Sequence, residues 1–156
     1  MYNKILAPLD GSELAECSLG HVKAIATGCS VPEVVLFRVV EPIPAHITAD
    51  LAEGGEMSAE VYTEIEKQNR AEADKYITAT AKKLKRETSI TIQAALAYGS
   101  PAEEILKYAK KNQVDLIIMT THGRSGIPRW VFGSVADRVL RHSPVPILIM
   151  APTGCR

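Results

Sequence analysis

The sequence predicts an α/β fold: one five-stranded, mostly parallel, doubly wound sheet with helices on both faces. Short apolar runs alternate with helical patterns from end to end, the order of strand–helix–strand units. Several of those runs are continuously apolar instead of alternating, as strands covered on both faces are. At 156 residues, 46% hydrophobic and 23% charged, the chain suits one globular domain, residues 1–156. No linker, repeat or low-complexity tract divides it.

The first strand is Ile5-Leu6-Ala7-Pro8-Leu9, stopped by Asp10-Gly11-Ser12. Ser12 is placed to cap a helix on which Ala15, Leu19, Val22 and Ile25 recur at helical steps, with Gly28 at its end. Val34 to Val40 is rich in β-branched residues and reads as the second strand, broken by Glu41-Pro42-Ile43-Pro44. Residues 45–55 read as a surface loop. Residues 56–87 form a heavily charged helical pattern, whose charge is expected to be a solvated face.

Ile90 to Ala97 alternates more than the other runs and suits a sheet edge. Gly99-Ser100-Pro101 reads as a loop, a cap and a proline at the first helical position. Val114 to Met119 is the most continuous apolar run. Ser134 is expected to cap the following helix, with Asp137 three residues on, and Val145 to Met150 closes the chain as the last strand.

Composition removes several classes of function. Lys plus Arg and Asp plus Glu number 18 each, so no net field draws the chain to nucleic acid or an acidic membrane. No apolar run approaches the roughly 20 residues of a membrane span. Cys17, Cys29 and Cys155 form no CxxC pair, and reduced thiols in a cytoplasmic protein are expected, with Cys17 packed as a small residue on a helix. A strand at the very start of the chain leaves no room for a signal peptide, which also points to the cytoplasm.

Open parallel sheets collect ligands beyond the carboxyl ends of their strands, where the strand order reverses. With five strands that reversal is expected between the first and the fourth. The loops there, Pro8-Leu9-Asp10-Gly11-Ser12 and Thr120-Thr121-His122-Gly123, are the most polar and glycine-bearing at that end. Gly123 and Gly126 permit close backbone approach. Gly133-Ser134-Val135 opens a helix whose amides favour an anion, and Arg124 and Arg129 are placed to add charge. Any one of these glycines, taken singly, is more often a turn. Together they suit a polyphosphate, with base and ribose against Pro8, Asp10, Val39 and Met119.

These residues resemble the universal stress protein family. Its nucleotide-binding members carry G-x2-G-x9-G-[ST] after the fourth strand, and the matching string here is Thr120, Gly123, Gly133 and Ser134. APLDGSE resembles the family's first loop, in which an Asp two residues after a Pro touches the nucleotide, and Val39 matches the position that meets adenine. Thr120 stands where the family motif has its first glycine, and its β-branched side chain is stiff.

The resemblance covers the whole chain and implies an adenine nucleotide α-hydrolase-like fold binding ATP, AMP or ADP, with Mg. It marks Pro8, Leu9, Asp10, Val39, Met119, Thr120, His122, Gly123, Arg124, Gly126, Gly133, Ser134 and Val135 as nucleotide-binding residues. It implies a homodimer formed through Val145 to Met150, with Pro146 constraining the register of pairing, and a role in stress response or signalling.

The alternative is a nucleotide-free dimeric interaction module of the same fold. No GxxxxGK[ST] loop is present, so at most weak ATPase activity is expected. An ATP pyrophosphatase would need an SGG-type loop after the first strand. A flavodoxin-like carrier would also hold phosphate there, and the chain is 5% aromatic, leaving little to stack on a flavin. Gly123→Val should abolish ATP binding in calorimetry while leaving the circular dichroism spectrum unchanged; unchanged affinity would remove Gly123 from the phosphate loop.

Overall fold

In the computed structural model, which describes residues 1–43, 59–121 and 133–151, five parallel strands form one sheet in the order β3-β2-β1-β4-β5. The strands are β1 (Lys4–Pro8), β2 (Glu33–Val40), β3 (Thr91–Tyr98), β4 (Leu116–Thr120) and β5 (Ile147–Met150). The helical segments among the described residues are α1 (Glu13–Glu16), α2 (Ser18–Gly28), α3 (Ala59–Glu87), α4 (Pro101–Lys111) and α5 (Ser134–His142). The order reverses between β1 and β4, as the sequence predicts. The expected surface loop at 45–55 lies outside the described residues.

Strand pleat sorts the apolar residues into two cores. Ile5, Ala7, Val34, Leu36, Leu116 and Ile118 face one way and pack with Val22 and Ala26 of α2 and Ile77, Ala81 and Leu84 of α3. Leu6, Val35, Phe37, Ile117 and Met119 face the other way, against Ile105 and Ala109 of α4 and Ala136 and Val139 of α5. This is why β4 is buried along its whole length, whereas β3, paired only with β2 among the described strands, buries Ile92 alone and does not show the alternation expected of it.

Polar contacts set the register. Asp115, just before β4, accepts from the backbone N–H of Asn3 at 2.8 Å and of Lys4 at 3.0 Å, and its own N–H donates to Lys4 O at 3.1 Å. Lys4 also pairs with Glu33 at 3.2 Å, directly across the β1–β2 ladder. Both contacts lie at the amino-terminal end of the sheet and leave the opposite end to the loops.

Some local expectations need correction. The helix after Ser12 is broken at Cys17, which ends α1 and precedes α2. Cys17 is disulfide-bonded and not the expected reduced thiol, whereas Cys29 is a free, exposed thiol. Ser134 is the first residue of α5 and Gly133 is its N-cap. Asp137 binds Arg141 Nε at 2.9 Å and takes no part in capping. Pro146 O accepts from Ile117 N–H at 3.0 Å, so the donor this proline lacks is on the β4 side. It does not bear on the outer edge of β5.

Ile117 is fully buried in a strand flanked on both sides. Ile117→Ala should cost about 2–5 kcal/mol in urea unfolding; a loss within about 1 kcal/mol would mean the second core is not close-packed there.

Candidate functional site

Beyond the carboxyl ends of β1, β2 and β4 lies a crevice of about 830 Å³. Each of its sides can be traced to a local feature of the chain.

The β1 side begins at Leu9, whose N–H donates to Phe37 O at 2.8 Å as the last rung between β1 and β2. Asp10 Oδ1 then accepts from both the N–H and the hydroxyl of Ser12, at 2.9 and 2.6 Å. Ser12 Oγ in turn accepts from Ala15 N–H at 3.1 Å and so caps α1, as expected. Gly11 completes this turn at φ +86, in the left-handed region that side chains disfavour. The loop is a closed hydrogen-bonded unit.

The β2 side is set by unequal strand lengths. β1–β2 pairing ends at Pro8↔Phe37, whereas β2–β3 pairing continues to Val40↔Tyr98. Phe37 turns its carbonyl to β1 and Val40 turns its own to β3, accepting from Gly99 N–H at 3.1 Å. By the two-residue alternation of a parallel strand, the N–H and C=O of Val39 face the β1 side, beyond the point where β1 stops. A donor and an acceptor therefore stand side by side on the crevice wall.

On the β4 side, Met119 and Thr120 are buried at the strand end, with Thr120 paired to Met150. Gly133, Ser134, Val135 and Ala136 bring the first turn of α5 to the same crevice. The first backbone bond closing that turn runs from Asp137 N–H to Gly133 O at 2.9 Å, and Gly133 provides no side-chain cap. The amides of Ser134, Val135 and Ala136 thus precede the helical ladder, at the positive end of the α5 dipole.

The remaining wall is one that sequence reasoning missed. Asn69, Glu72, Ala73 and Tyr76 of α3 line the crevice at helical spacing. The available signal was the stripe Ala73, Ile77, Ala81 and Leu84, now buried, which fixes the inward face and makes its flanking polar residues neighbours of the sheet's carboxyl edge. Tyr76 donates its hydroxyl to Glu16 Oε1 of α1 at 3.0 Å. Its pKa is pushed up to about 12, first by burial, then by that hydrogen bond and the charge of Glu16, with Asp10 adding to the effect.

Of the residues expected at the site, Pro8, Leu9, Asp10, Val39, Met119, Thr120, Gly133, Ser134 and Val135 line this one crevice. His122, Gly123, Arg124 and Gly126 lie outside the described residues. Among the described residues there is no group of three or more side chains placed to hold a metal ion, and no helix long and apolar enough to cross a membrane.

With this geometry in view, comparison with known proteins is decisive on kinship. Residues 1–151 match the model of the universal stress protein family. The chain belongs to that family. Among its relatives is the universal stress protein MJ0531 of Methanocaldococcus jannaschii, 35% identical over 150 residues, covering 96% of this chain and 82% of the relative. MJ0577 of the same organism is 34% identical over 155 residues, covering 96% and 95% of the two chains. The solved MJ0577 structure superposes with a TM-score of 0.77 at 32% identity, over 97% of this chain and 96% of that one. A family member from Arabidopsis thaliana solved with AMP bound shares the fold, with a TM-score of 0.64 at 15% identity over 96% and 91% of the chains.

The Tyr76–Glu16 contact can be checked by titration. A phenol whose folded pKa is raised contributes stability that is complete below its ordinary value of 10.0 and is lost as pH rises from there through about 12. In Glu16→Gln the Tyr76 midpoint, followed by NMR of ring-labelled tyrosine, should move down towards the ordinary value. An unmoved midpoint would mean that burial alone raises it.

Proposed function

We propose that this universal stress protein binds an adenine nucleotide, ATP foremost, in the crevice beyond β1, β2 and β4. The observation carrying this reading is that two complementary features open onto one cavity. The N–H and C=O of Val39 match the acceptor and amine along one edge of adenine, and the first-turn amides of α5 suit an anion at the other end. Pro8, Phe37, Val39 and Met119 supply apolar cover between the two. A relative of the same fold carries AMP, which supports the choice of ligand class.

His122, Gly123, Arg124 and Gly126 complete the phosphate end in this reading, as the family motif implies. A Mg²⁺ ion fits as part of the ligand: it would take oxygens from the phosphates and water, as this ion does, with Asp10 as the protein carboxylate. The ion would offset the charge that Asp10, Glu41 and Glu72 place along the crevice against Arg38.

The protein acts as a homodimer in stress response or signalling, nucleotide occupancy being the signal and not turnover. β5 is the outer strand of the sheet, and the N–H and C=O of Ile147 and Ile149 face away from β4, as β-edge pairing requires. Light scattering should read twice the chain mass of 16.9 kDa; a monomer at all concentrations would sink the dimer.

Thr120 favours the second reading, a nucleotide-free interaction module. It lines the crevice from a buried position where the family motif has glycine, and so narrows the space beside the ligand. Chromatography of the supernatant after acid denaturation should find adenine nucleotide near one per chain, and Thr120→Gly should leave affinity within about threefold, or about 0.6 kcal/mol. Empty protein that binds Mg-ATP only after Thr120→Gly would establish the second reading.

A further inference from the structure

A smaller cavity of about 180 Å³ adjoins the crevice and shares Val40, Glu41 and Asn69 with it. Among the described residues these three form a wall common to the two cavities. The annex is bounded on one side by Tyr98, at the end of β3 and 45% exposed, and on the other by α3. The Arg70 guanidinium lies over the Tyr98 ring, 4.1 Å from its centroid, which presents a broad flat surface.

We propose that this annex is a subsite for a flat, uncharged ring attached to the exocyclic amine of the adenine, so that the protein accepts nucleotides extended at that nitrogen. The inference rests on the nucleotide reading above and adds a ligand class to it. Its direction follows from the strand. Along a β-strand a residue's N–H precedes its C=O, so a base paired with Val39 sets its ring nitrogen against the N–H and its amine against the C=O. The amine is then on the side where the chain continues into Val40 and Glu41, the residues that lead into the annex. Its second hydrogen is the one a substituent replaces. The choice of an uncharged ring follows from the lining: Arg70 is opposed by Glu41 and Glu66, so a charge of either sign meets a like charge, whereas a ring can stack on the Arg70–Tyr98 pair.

The test compares ATP with N6-benzyl-ATP by calorimetry, on wild-type protein and on a double variant carrying Arg70→Ala and Tyr98→Ala. Both side chains are exposed, so the fold should tolerate their loss. Wild type should bind N6-benzyl-ATP at least as tightly as ATP. The double variant should lose about two- to tenfold for the benzyl compound, the size of one aromatic contact, with ATP affinity unchanged. A benzyl group that weakens wild-type binding tenfold or more overturns the annex while leaving the ATP site standing; so does a double variant with an unaltered ratio, or with equal losses for both ligands. Failure of wild type to bind either compound overturns the nucleotide reading, and the annex with it.

Discussion

The crevice exists because β1 stops where it does. β1 is hydrogen-bonded on both sides, to β2 and to β4, and its pairing ends at Pro8 while β2 runs on to Val40. A longer β1 would cover the inner edge of β2 and consume the backbone groups of Val39. A proline at the strand end, followed by an Asp-Gly-Ser turn with Gly11 at positive φ, prevents that extension. After this turn α2 packs on one face of the sheet, while α5 packs on the other, and among the described residues the crevice opens between them.

The two cores hold this gap open. Leu6, Ile117 and their neighbours pack against α4 and α5, and Ile5, Ile118 and theirs against α2 and α3, so the strand ends are fixed from both faces. The first turn of α5 is positioned by the same packing, through Ala136 and Val139. The ion pair of Arg138 with Glu103 joins α5 to α4 at 2.7 Å, but both groups are exposed, and such pairs contribute about 0–1 kcal/mol. Apolar burial, and not surface charge, therefore places the first-turn amides of α5.

A second network runs around the crevice wall. Asp10 holds Ser12, Ser12 caps α1, and Glu16 of α1 receives the hydroxyl of Tyr76, whose ring is again part of the wall. The short α1 is thus tied at both ends to groups that line the site.

The parallel sheet, its reversal between the first and fourth strands and the Pro8–Ser12 turn were legible in the sequence because each leaves a local mark: unbroken apolar runs, Gly and Pro punctuation, a Ser at a helix start. Kinship followed from the same residues in order. What α3 faces was not legible. Its charge is that of a solvated helix, and Glu72 and Asn69 differ from its other polar residues only in which way packing turns them. The overhang of β2 beyond β1 is likewise a relation between strands more than twenty residues apart in sequence. So too is the pairing of Arg70 with Tyr98. The sequence by itself determined where the chain must turn and which faces must be buried, since backbone preference and hydrophobicity act residue by residue. Tertiary structure alone decided which exposed groups meet, because that depends on register and helix rotation, which only the packed whole defines.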